Sequence, residues 1–277
     1  MFGVSGRFPP LYAGCVMMGQ ALGGVVPAVV AIAMVAFDIE PKLLGPACFG
    51  AVDILLVIAF ILERWLSRNK FFLYYAEGKD NLISGDTSDH DAEVDSLCYK
   101  DLFKMSWVYL LGGWLVYGVT LSIFPAISAI VEPETKGGWT EKYFGPVACV
   151  LLFNASDLTG RTLATIIQLP GRSKSGKTAY LAILLLRIGL IPLFMLCNAA
   201  PETRHLPVVL NSDVAFCSLI ALLGLSVGYM GNLSLIHGPR TSDMAESQEA
   251  IGCILTGCFV LGQATGSSAS YFIMKSL

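Results

Sequence analysis

The sequence predicts an all-α fold, a polytopic bundle of membrane-spanning helices. Three observations predict it. Hydrophobic residues fill 55% of the 277 positions and charged residues only 14%. Soluble domains carry about 25% charged residues, so a fully water-facing surface cannot be built from this chain. Mean hydropathy is +0.65, and the apolar residues are gathered into stretches of about 20, the length a helix needs to cross hydrocarbon.

Seven such stretches follow in order, at 12–37, 43–65, 105–131, 144–169, 178–199, 213–236 and 250–274. The first is glycine-rich (GQALGG). The second is almost purely aliphatic around one carboxylate, Asp53. The third ends in LSIFPAISAIV. The fourth carries FNASDLTGR and is closed by Pro170. The fifth holds Arg187. The sixth contains SVGYMGN, and the last is striped with Gly252, Gly257, Gly262 and Gly266. Transmembrane helices tolerate such Gly and Pro content, and small residues let neighbouring helices pack closely. Packing is the plain reading of the stripes; sliding surfaces would use the same residues.

One connection is long. Residues 66–104 include GDTSDHDAEVDS, acidic and without an apolar stripe, and 78–97 read as a solvated, disordered linker or a regulatory segment. The loop divides the chain into a two-span part, 1–65, and a five-span part, 105–277. Arg7, the group Arg64, Arg68 and Lys70, the group Arg172, Lys174 and Lys177, and Arg240 all fall on one side if the spans alternate. The positive-inside rule makes that side cytoplasmic. The N-terminus and the 66–104 loop are then inside and the C-terminus outside, the reverse of a G-protein-coupled receptor.

Eight cysteines occur without a C-x-x-C pair, and seven lie in apolar runs. They read as free thiols, and no metal site is predicted. The start, MFGVSGRFPP, has no secretory signal pattern.

Residues 171–178, GRSKSGKT, fit the phosphate-loop pattern G-x-x-x-x-G-K-[ST]. That loop needs a strand before it and a sheet beneath it. Here a membrane stretch stands on each side, so the string reads as a short basic turn, and neither ATP nor another cofactor is expected. Asn154 and Asn232 fit the N-glycosylation pattern but lie inside predicted spans.

Ionisable groups at membrane depth are expensive and mark functional sites by default. Asp157 and Arg161 are four residues apart, so they share a helix face and can pair. Asn154 lies one turn earlier on that face. A carboxylate beside a guanidinium offers acceptors and donors to a polyhydroxylated solute; the alternative is a purely structural ion pair. Asp53 has no identifiable partner. Arg187 can snorkel to the headgroups or meet either aspartate.

These motifs resemble the equilibrative nucleoside transporters, a solute-carrier family. The resemblance rests on FPPLYAGCVMMGQALGG at 8–24, LSIFPAISAIV at 121–131, LLFNASDLTGR at 151–161, RIGLIPLFMLCN at 187–198, SVGYMGNLSLIHGPR at 226–240 and AIGCILTGCFVLGQATG at 250–266. It implies a major-facilitator-like architecture of eleven spans, six in one bundle and five in the other. This chain matches the last seven, so 1–65 would be the end of the N-terminal bundle, FGVSG the end of the fourth span, and Met1 an internal methionine of a longer protein. It implies facilitated nucleoside uniport by alternating access, with Asp157 and Arg161 on the ribose hydroxyls and Asn154 near them. Phe124 and Pro125 match an outer-gate region. Gly19 and Gly24 match positions tied to transport. Ser226 opens Ser-Val-Gly-Tyr where the family often has Ser-Asn-Gly-Tyr. The expected partners are a nucleoside such as adenosine or uridine and the lipid bilayer, with no nucleic acid and no enzymatic chemistry, in the plasma membrane. On this reading, the seven spans alone would leave half the cavity wall missing. Rival readings are transport of another organic solute such as a monoamine, proton coupling through Asp53, or a non-transporting partner of a complete transporter.

Overall fold

The computed structural model describes residues 10–70, 72–73, 99–134, 137–199, 204–205 and 207–277. The acidic stretch 78–97, Arg7 and Cys98 lie outside the described residues. The described chain is helical, and its only β features are the isolated bridges Val131 to Ala199 and Cys197 to Leu210.

Helices α1 (Pro10–Ala36) and α2 (Pro41–Leu66) come first. Pro41 opens α2, where a missing N–H has no helical partner to lose. Helix α3 (Tyr99–Ile123) runs into Phe124-Pro125 and a 3₁₀ turn, Ser128–Ile130. Helix α4 (Trp139–Tyr143), a π-helical segment (Phe144–Leu151) and α5 (Leu152–Ile166) together make the fourth stretch. Helices α6 (Lys174–Ile188) and α7 (Leu190–Met195) make the fifth, α8 (Asp213–His237) the sixth and α9 (Ala245–Ser276) the last. A 3₁₀ turn, Pro239–Thr241, joins α8 towards α9.

Six of the seven expected stretches are helices long and apolar enough to span a bilayer. The fourth is a composite. Pro146 has no N–H to give and its ring crowds the preceding turn, which the wider π spiral accommodates. The same stretch carries Asp157 and Arg161, which lower its apolarity.

GRSKSGKT folds as the turn between α5 and α6 and the first turn of α6. Ser173 caps α6, its hydroxyl accepting from Gly176 N–H at 3.1 Å.

Two seams organise helices α3 to α9, and glycine makes both. On α9, a Cβ added at Gly262 would overlap the Trp114 carbonyl, and one at Gly266 the Gly118 carbonyl. Contacts rise together along both chains, so α3 and α9 run parallel. Between α5 and α8, Gly224 meets the Phe153 backbone and Gly228 the Asp157 carbonyl, while Gly160 meets the Leu225 carbonyl. These helices also run parallel. Hydrocarbon is as apolar as leucine, so such seams are held by close packing and polar contacts rather than by escape from water. Tyr109, Tyr180, Phe194, Ile220 and Leu233 fill the interior between them. The seven described cysteines are free thiols.

Candidate functional site: the polar seam of α1, α5 and α8

Helix α5 is amphipathic, with Asp157, Arg161 and Thr165 buried on successive turns of one face. Arg161 donates through Nε to both Asp157 oxygens, each at 3.0 Å, and its Nη2 lies 2.9 Å from Oδ2. The guanidinium does not stop at its own helix. Nη1 donates to the Met17 carbonyl and to Gln20 Oε1 on α1, both at 3.0 Å. Tyr117 of α3 lies beside it. Asp157 is 6% and Arg161 5% exposed, so the pair sits within protein rather than facing lipid.

Helix α1 lies along the rest of that face in antiparallel order. Gly14 packs on Thr165, Met17 and Gln20 on Arg161, and Gly24 on Asn154. Asn154 itself is half-buried and donates to the Val150 carbonyl at 2.8 Å. On the other side, Asn232 of α8 donates to the Arg161 carbonyl at 2.7 Å and to Thr165 Oγ1 at 3.0 Å. Three helices therefore meet at one charged pair: α1 bonds the guanidinium, and α8 bonds the Arg161 backbone and Thr165 beside it.

The other singled-out residues fall into two groups. Phe124 stacks on Phe153, with ring centroids 3.9 Å apart, one helical turn from Asp157; Pro125 beside it is exposed. Arg187 is buried and donates to Thr120 Oγ1 at 2.8 Å, and its Nε and Nη1 have no partner among the described residues. Its charge bears on Asp157. Ser226 bonds back to its own helix at the Leu223 carbonyl, 3.1 Å away. Gly19 faces open space, as does Gly23. Asp53 is exposed on α2 and has no hydrogen-bond or ion-pair partner among the described residues.

Gln20, Tyr117 and Tyr229 are contributors that sequence reasoning missed. Gln20 is the one side-chain amide in the first apolar stretch, which was the available signal. Tyr229 Oη lies 2.6 Å from the Leu169 carbonyl and 2.8 Å from that of Ile167, so it holds the unwound end of α5.

A buried carboxylate–guanidinium pair in a helical membrane bundle fits a polar solute, and known proteins narrow the class. Residues 1–275 match the family described as Nucleoside transporter. The chain belongs to that family. It is 30% identical over 305 residues to equilibrative nucleoside transporter 1 of Rattus norvegicus, an alignment covering all of this chain and 65% of the rat protein. It is 30% identical to equilibrative nucleoside transporter 2 of Homo sapiens, covering all of this chain and 68% of the human one. It is 26% identical to equilibrative nucleotide transporter 1 of Arabidopsis thaliana, over 98% of this chain and 59% of the plant protein. The chain spans about two thirds of the length of these relatives. It is an integral membrane protein, and its relatives are named as transporters.

Proposed function

We propose that this chain serves facilitated, equilibrative movement of nucleosides across a membrane, by alternating access and without covalent chemistry or a cofactor. The observation that carries the reading is the Asp157–Arg161 pair, buried at the meeting of α1, α5 and α8. Asp157 accepts from vicinal ribose hydroxyls and Arg161 donates to sugar oxygens. Asn154 lies on the same helix face. Phe124, stacked over Phe153 one turn away, is placed to close the path on one side, with Pro125 next to it. Alternating access rocks one bundle against another about such a midplane site. We place the N-terminus and the 66–104 loop in the cytoplasm on the strength of the lysine and arginine asymmetry, and propose the plasma membrane as the membrane it occupies.

The test is uptake of labelled adenosine and uridine by nucleoside-transport-deficient cells expressing the protein from its full coding frame. Asp157→Asn is expected to reduce uptake to background while surface biotinylation stays normal. Dideoxynucleosides, which lack the vicinal hydroxyls, should compete poorly. Normal uptake by Asp157→Asn would sink the site assignment. Competition by unlabelled monoamines or nucleotides, or a steep rise of uptake in acid, would turn the reading towards another solute or proton coupling.

A further inference from the structure

The basic string GRSKSGKT is not part of the polar seam, yet the fold gives it company. Where the start of α3, the start of α6 and the turn after α8 meet, a cavity of about 410 Å³ is lined by Lys104, Met105, Arg172, Lys177, Arg240 and Thr241. Four of these six are cations, and no acidic side chain is among the described lining residues. They come from three places far apart in sequence: the start of α3, the basic turn leading into α6, and the 3₁₀ turn after α8. The convergence is therefore made by the tertiary fold rather than by a run of like charges along the chain.

One of the cations is also held against another. Arg172 Nη1 donates to the Arg240 carbonyl at 2.7 Å, which fixes one guanidinium against the backbone of the other arginine. Burial, and then the charge of Arg172, hold the Arg240 guanidinium below its ordinary pKa. The like charges of Arg172 and Arg240 are thus close enough to work against one another. Near this end of the bundle are two buried polar atoms with no partner among the described residues, Tyr109 Oη and His237 Nε2. The charge of Arg172 bears on both side chains. The α6 N-terminus adds its partial positive charge on the same side. A cavity of this size accommodates a small ligand, and basic pockets between membrane helices on the cytoplasmic side suit phosphorylated head groups.

We propose that this cavity is a binding site for a polyphosphorylated group, supplied as an inner-leaflet lipid head group or as a free phosphate ester. Lys104, Arg172, Lys177 and Arg240 are its ligands. An occupant bridges the ends of α3, α6 and α8. The site shares no residue with the Asp157–Arg161 pair and stands whether or not the transport reading does; its inner-leaflet placement rests on the orientation proposed above.

The test uses the purified protein in two arms. In detergent at low salt, inorganic tripolyphosphate and inositol trisphosphate are titrated while thermal unfolding is followed. In nanodiscs, retention of phosphatidylinositol bisphosphate over phosphatidylcholine is read by native mass spectrometry. A saturable rise in melting temperature is expected, fading as salt screens the charges. Lys104→Gln should weaken binding about fivefold and Arg172→Gln with Arg240→Gln roughly twentyfold, one surface cation being worth a factor of this order. Lys42→Gln, an exposed cation on α2, should change nothing. Selective retention of the lipid with weak soluble binding assigns the site to a head group; the converse assigns it to a free ester. If the double variant fails to fold, Lys104→Gln and the salt dependence of the wild type decide. No saturable binding in either arm, or equal affinity in Lys104→Gln and Lys42→Gln, would overturn the proposal.

Discussion

Helices α2 and α3 both have the length and apolarity to cross a membrane, and they end up in opposite surroundings. The α2 stretch, Lys42–Leu66, is the more apolar of the two, yet none of its most apolar window is buried among the described residues. The α3 stretch, Lys100–Ile130, is less apolar, and 56% of its window is buried. Apolarity sends a helix into the bilayer; it does not decide whether the helix goes on to pack against protein. In hydrocarbon a leucine loses nothing by staying with lipid. Helix α3 instead offers Gly113, where Phe259 presses in, and Gly118 against α9. Helix α2 has glycines too, but a Cβ at Gly45 or Gly50 would meet nothing within 4 Å. Its flanks are Phe49, Phe60 and Trp65, all exposed.

Substitutions can break or sharpen that contrast, and the largest effect belongs to the buried pair. Arg161→Ala leaves Asp157 buried without its cation and removes both bonds to α1. A loss of about 3–5 kcal/mol is expected for breaking a buried pair, read as a fall in unfolding temperature in detergent, together with loss of nucleoside uptake. Next comes the glycine contrast itself. Gly228→Ala forces a methyl group onto the Asp157 carbonyl and should cost about 1–3 kcal/mol. Gly50→Ala, on α2, should leave stability unchanged or raise it by up to ~1 kcal/mol. Equal effects of the two would mean that the α5–α8 seam is not where packing is decided. Asn232→Ala, which removes two donors from that seam, should cost about 0.6–1.7 kcal/mol, the range seen for hydrogen bonds between membrane helices. The smallest effect falls to Asp38→Asn. The carboxylate pairs with Lys142 on α4, but both side chains are open to solvent, and the melting temperature should not move measurably.

Much of this was legible in the sequence. Run lengths located the helices, because a bilayer sets their length directly. The four-residue spacing of Asp157 and Arg161 put them on one face, because the helix repeat does so. What periodicity could not supply was the third dimension. Nothing in the spacing of Gln20 says that it will reach Arg161, 141 positions away. Arg187 showed as a lone charge in an apolar run, while its bond to Thr120 depends on how α6 crosses α3. The fourth stretch read as one helix, since a scan for apolar length does not register that Pro146 opens a wider spiral. The GRSKSGKT string was legible as a basic turn; that Lys104 and Arg240 would stand beside it was not, because three connections had to close first.

Arg161 stands in a further light when its bonds are considered as exchangeable. The donor it lends to Met17 and Gln20 is the same donor that a sugar oxygen would require. A solute and helix α1 would then compete for one hydrogen-bonding edge, and by linkage each would weaken the other's hold by an equal factor. Occupying the pair would in this way loosen the α1–α5 seam, so that filling the site and freeing the bundle to move are two descriptions of a single exchange.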